Sequence, residues 1–131
     1  MLGSVAADAS EPLLPLTLLS TPLGGAEDGT SGRTDVEAVI DTGFDGELTL
    51  HEESIRRLGY PYSGTASGTL ADGSEAQFDY YEGLVLWHGV EHPVAVIAAA
   101  GQPLIGMALL RGSRLTVDAA PGGEVRVEER P

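Results

Sequence analysis

The sequence predicts an all-β protein carrying one or two short helices, and three observations lead there. Glycine and proline are numerous, 18 and 8 in 131 residues, and they are spread along the chain without a repeat, so turns must be frequent. Period-two alternation recurs in short runs, as in Val94, Val96 and Ala98. Helix-type chemistry is confined to two brief stretches.

Residues 1–11 are small and acidic without periodicity and read as a flexible amino-terminal arm. Residues 12–131 read as a single domain, because no shift in composition marks a boundary and no solenoid repeat occurs. A chain of this length buries roughly two-thirds of the surface its unfolded form exposes, enough for one compact core.

The first strand is expected over 12–21, with Pro12 and Pro15 tolerable only at an edge or at strand ends. Residues 24–32 are a loop on composition. A second strand, 34–40, leads into Asp41-Thr42-Gly43, and a short one follows at 47–50. The stretch 51–59 opens with Glu52 and Glu53, closes with Arg56 and Arg57, and ends at Gly59, the charge order and stop signal of a short helix.

Between 64 and 77 a hairpin is expected around Asp72-Gly73, a dipeptide that tolerates the positive φ angles of a tight turn. Strands at 78–87 and 91–98 should turn at His88-Gly89. The run 103–111 begins as a buried-type strand and continues into a brief helix that Gly112 can end. Alternation over 114–118 and 124–128, on either side of Pro121-Gly122-Gly123, makes the clearest hairpin.

Twenty acidic side chains stand against seven arginines and no lysine, a formal charge of −13. Nucleic-acid binding and adsorption to an anionic membrane both need a basic footprint and are not expected. The acidic surface reads first as solubility and second as a preference for basic substrates. Cysteine is absent, which removes disulfides, thiol nucleophiles and thiolate metal sites. Residues 1–10 lack a basic n-region, and the apolar run 13–19 is short and broken by Pro15, so neither a signal peptide nor a membrane span is expected and the cytoplasm is the default location.

Val39-Ile40-Asp41-Thr42-Gly43 sets one carboxylate at the end of an apolar strand, before a hydroxyl and a glycine that suit a tight turn. Taken alone, Asp-Thr-Gly also fits a plain surface turn. Downstream, Leu104-Ile105-Gly106 precedes the short apolar stretch Met107 to Leu110, and between the two lies Leu70-Ala71-Asp72-Gly73-Ser74 at a hairpin tip. In this order the three elements resemble the retropepsin-like aspartic proteases, whose active-site loop has the form hydrophobic-hydrophobic-Asp-Thr/Ser-Gly. In that family an apolar-apolar-Gly element with a following helix supports the loop, and a hairpin flap covers bound peptide.

The resemblance spans about residues 34–118 and implies a closed or orthogonal β-barrel protomer completed as a homodimer. It implies aspartic endopeptidase activity on an extended peptide or protein, with Asp41 as the catalytic acid, Thr42 bonding across to the partner's loop, and Gly43 allowing close backbone approach. Phe44, Asp45, Leu70, Ala71, Asp72, Gly73, Ser74 and Ile105 are the implied substrate-binding residues, and no metal or other cofactor is implied. Asp45 could equally be a loop-stabilising carboxylate. This chain departs from the pattern in two places: its flap is not glycine-rich like that of the retroviral enzymes, and His51 stands where relatives often have proline.

One chain holds a single Asp-Thr/Ser-Gly, and two carboxylates in opposite protonation states are needed for hydrolysis by activated water, so a symmetric dimer is the simplest route to activity. The rival from another class is a fold of the same kind kept as a dimerisation or peptide-binding module with weak or lost chemistry. Other polar residues have plainer readings. His51, His88 and His92 lack metal-type spacing, since Gly89 and Pro93 argue against a helix over 88–92. Trp87 and the tyrosines suit packing against a sheet.

Overall fold

The computed structural model describes residues 1–21, 32–70 and 72–131. The loop expected over 24–32 therefore lies outside the described residues apart from Gly32, as does Ala71 of the expected flap. Ten strands are described: β1 (Leu2–Val5), β2 (Pro12–Leu19), β3 (Arg33–Ile40), β4 (Leu48–Leu50), β5 (Tyr62–Thr69), β6 (Glu75–Trp87), β7 (Val90–Ala98), β8 (Leu104–Ile105), β9 (Ser113–Val117) and β10 (Glu124–Glu129). Two short helices accompany them, α1 (Glu52–Leu58) and α2 (Met107–Leu110). The all-β class with one or two short helices is what the chain adopts. The strands form one sheet in the order β5-β6-β7-β4-β8-β3-β2-β1-β10-β9, and a further pairing of Leu18 with Val85 joins β2 to β6, turning the middle of the sheet back on itself.

The expected loose arm is corrected by the structure. Leu2–Val5 is a strand paired on one side with β2 and on the other with β10, and the amino group of Met1 donates to the Val127 carbonyl at 2.8 Å. The segment is too short to show a period, but backbone pairing on both sides supplies what its side chains do not advertise. Val5 is buried, and Gly3 leaves no room for a side chain beside the Leu13 carbonyl.

Two more differences follow from tertiary pairing. β2 is interior, not an edge, although pairing with β1 ends at Leu13 and the bridge to β6 comes at Leu18. Pro15 falls between them, where one side of the strand has no partner among the described residues and a missing N–H is tolerable. The hairpin 64–77 and the strand 78–87 are one unit, since β6 runs 13 residues without a break and pairs first with β5 and then with β7.

The hydrophobic core is built from alternate residues of these strands: Leu14, Leu16 and Leu18 of β2, Val94 and Val96 of β7, and Val125 and Val127 of β10 are all buried. Trp87 joins the same cluster. Tyr60 is buried with its hydroxyl donating to the Leu84 carbonyl at 2.8 Å, and burial pushes the phenol up to about 12. The helix α1 begins at His51, whose Nδ1 accepts the Glu53 N–H at 3.3 Å, and stops at Gly59, which takes the left-handed φ of 74° that a side chain would resist. Between β6 and β7 the chain reverses through His88 and Gly89, with φ of 51° and 78°, the two positive angles of a tight hairpin turn.

Candidate active site

The loop after β3 is held by a strand that arrives from far along the chain. β8 lies between β3 and β4, parallel to β3 (Val39 with Leu104, Ile40 with Ile105) and antiparallel to β4 (Leu48 with Ile105, Thr49 with Leu104). The two strands flanking residues 41–47 are thus each hydrogen-bonded to β8 instead of to one another, and the loop is spread across the end of that strand.

Each support is a named hydrogen bond. The Asp41 N–H donates to the Ile105 carbonyl at 2.9 Å, and the Phe44 N–H donates to the Asp41 carbonyl at 3.1 Å, closing a turn over Thr42 and Gly43. The carboxylate oxygen Oδ1 of Asp41 accepts the Gly43 N–H at 2.9 Å. From the other side, Gly106 N–H donates to the Glu47 carbonyl (3.0 Å), Met107 N–H to the Phe44 carbonyl (2.8 Å) and Ala108 N–H to the Gly46 carbonyl (3.1 Å). Gly106 sits so close beneath the loop that a Cβ would run into the Gly46 carbonyl oxygen and come within 2.7 Å of that of Phe44. The sequence Leu104-Ile105-Gly106 therefore does what its pattern implies, with two buried-type residues to pair and one glycine to permit contact.

Asp41 is half-buried, while Thr42, Gly43 and Asp45 are exposed, so the turn presents its carboxylate and its hydroxyl at the surface of the chain. Phe44 turns inward, its ring against Gly46 and Gly106, and packs the loop. Ile105, expected on the substrate side, is fully buried and reaches the site through its carbonyl, which makes it a positioning residue.

The second group of expected residues sits at the tip of the β5–β6 hairpin. Leu70 N–H donates to the Ser74 carbonyl (2.7 Å), Gly73 N–H donates to the Leu70 carbonyl (2.9 Å), and Gly73 has a φ of 86°. Asp72 accepts from both the hydroxyl and the N–H of Ser74, and those bonds hold its carboxyl below the usual carboxylate value. Leu70, Asp72, Gly73 and Ser74 are all exposed, as is most of β5. Among the described residues no hydrogen bond joins this tip to the 41–47 loop, and the bridge of Leu18 with Val85 that brings β6 to β2, beside β3, lies toward the end of β6 away from the tip. The structure assembles Asp41, Thr42, Gly43, Phe44 and Ile105 as one unit and places the hairpin tip as another.

One supporting residue escaped the sequence reading. Thr49 is a buried polar residue in a three-residue strand, and its Oγ1 accepts the Leu104 N–H at 2.9 Å, tying β8 to β4 by a side chain. A threonine between two leucines next to an active-type loop was the available signal, but a three-residue run cannot distinguish a packed hydroxyl from an exposed one.

No family model matches the sequence, and no curated protein matches it. Among solved structures the chain is similar to the crystal structure of a retropepsin-like aspartic protease from Rickettsia conorii, with 14% identity over 93% of this chain and 97% of that chain and a TM-score of 0.45. No helix of the described residues is long and apolar enough to cross a membrane.

Proposed function

We propose that this chain is one protomer of a retropepsin-like aspartic endopeptidase, a barrel-like half-enzyme whose activity requires a symmetric homodimer. The observation that carries the reading is the Asp41 turn: a carboxylate suspended by Asp41 N–H from Ile105, braced by Gly43, cradled on Gly106, and left at the surface with Thr42 beside it. A loop that only reverses the chain has no need of this support from a third strand.

In the proposed dimer the two turns meet across a twofold axis. Two carboxylates that close cannot both ionise, so the pair holds one proton, the general behaviour of aspartic-protease dyads applied here. The ionised member takes a proton from the water between them, and the protonated member donates to the scissile carbonyl oxygen as the water oxygen attacks its carbon. The resulting gem-diol collapses with proton transfer to the leaving amine, and no covalent enzyme intermediate forms. Thr42 holds the partner's loop in register. The β5–β6 hairpin lies over the substrate, and its tip contributes those backbone groups that its own turn leaves free to the extended peptide.

The test is Asp41→Asn, which keeps the shape of the side chain and removes the ionisable group. Peptide cleavage should fall by roughly a thousandfold or more while the sedimentation behaviour stays that of the parent. Cleavage at the parent rate would remove Asp41 from the mechanism, and activity in a strictly monomeric sample would remove the dimer.

A further inference from the structure

An open cavity of about 600 Å³ lies where the β6–β7 turn, the α2–β9 corner and the end of β10 come together. The Arg130 N–H donates to the Gly112 carbonyl at 3.0 Å, which holds the end of β10 against the corner and brings Arg111 and Arg130 to the same cavity. His88 and His92 line it too, so four of the chain's ten arginines and histidines meet at one place on a protein of charge −13. The His88 Nε2 lies 2.9 Å from the Ser113 hydroxyl, which fixes that ring at the rim.

Arg126 is bracketed by Glu124 at 2.7 Å and Glu128 at 3.9 Å. Arg111 and Arg130, like the other described arginines apart from Arg126, have no carboxylate within ion-pairing distance among the described residues, and what sets them apart is that they share one cavity. Two carboxylates do reach the cavity, Glu47 and Glu129. Glu47 is held in place by its Oε1, which accepts the Ala95 N–H at 2.9 Å, and it keeps its charge. Two arginines against two carboxylates leave the cavity formally balanced in a chain of −13, and most of the negative charge farther off is screened beyond about 8 Å at physiological salt.

We propose that this cavity binds an oxyanion of the carboxylate or phosphate class, held between the guanidiniums of Arg111 and Arg130 with His88 and His92 as additional donors. A guanidinium offers paired N–H donors whose spacing matches two oxygens of such a group, and two of them facing one cavity fit an anion better than they fit open water. The inference is independent of peptide hydrolysis.

Trp87, the only tryptophan, lines the same cavity and serves as the probe. The full chain is titrated at constant ionic strength with inorganic phosphate, with citrate, and with a short peptide bearing either a free or an amidated carboxyl terminus, following Trp87 emission and the amide shifts of Gly112 and Ser113. Saturable binding is expected, weakened by about tenfold or more in the Arg111→Gln, Arg130→Gln double variant and unchanged in Arg56→Gln, Arg57→Gln on exposed α1. Phosphate and citrate binding without the peptide identifies a free small anion, and binding of the free-acid peptide over the amide identifies a chain terminus. No saturable response, or an equal one in the double variant, overturns the proposal. The amide shifts decide the same question without any substitution, since shifts spread over the surface instead of centred on 112 and 113 would mean only diffuse screening.

Discussion

Asp41 hangs from Ile105: the backbone N–H of one meets the backbone carbonyl of the other at 2.9 Å, where β3 and β8 run side by side. The position of the proposed catalytic carboxylate is therefore set by a residue 64 places later that is itself fully buried. Ile105→Ala empties core volume directly behind the loop. The expected cost is about 2–5 kcal/mol of stability, with loss of cleavage beyond what the unfolded fraction explains. Denaturant unfolding and activity per folded molecule are measured together, and unchanged activity per folded molecule would detach Asp41 from this support.

Gly106→Ala adds one methyl where the carbonyl oxygens of Gly46 and Phe44 already close in. The substitution should cost about 1–3 kcal/mol and displace residues 43–47, visible as amide shifts through the loop. The backbone of Gly106 has φ −103° and ψ 178°, which alanine adopts freely, so the effect comes from contact alone. A variant as stable as the parent with an unmoved loop would contradict it.

The hairpin tip should respond to acid. Asp72 is held below its ordinary 3.8 chiefly by the Ser74 hydroxyl and then by the Ser74 N–H. A depressed folded value means the contribution is present above 3.8 and is lost as pH falls through the lower folded value. Ser74→Ala removes the larger cause, so the Asp72 carboxyl titration followed by NMR should move up toward 3.8. No movement would show that the tip bonds do not set it.

The proposed dimer should strengthen with salt. Each chain carries −13, so two copies repel, and raising salt from about 0.05 to 0.5 M shortens the screening length from about 14 to about 4 Å. The dimer dissociation constant from sedimentation should fall across that range. A constant that rises with salt would mean that attractive ion pairs, not packing and backbone contacts, hold the copies together.

The pattern of the chain carried much of this outcome. Period-two runs foretell β7, β9 and β10, the charge order and Gly59 foretell α1, and Asp41, Ile105 and Gly106 are recognisable from residue type and order. The misses are all cases where pairing with distant strands overrode local signals. Leu2–Val5 looks structureless until β2 and β10 lie beside it, and Pro15 looks like an edge marker until the partial pairing on one side of β2 is seen. Thr49 looks like an alternating surface residue until Leu104 donates to it.

Sequence alone determined which side chains this protein has for chemistry and where its turns fall, because residue type and spacing set local conformation and hydrophobic period. Only the tertiary structure decided that β8 enters between β3 and β4, that Ile105 acts through its carbonyl, and that Arg111 and Arg130 share a cavity. Those relations depend on hydrogen bonds between segments far apart in the chain, and a backbone N–H or carbonyl is the same group at nearly every residue, so nothing in a string of side chains tells where it finds its partner.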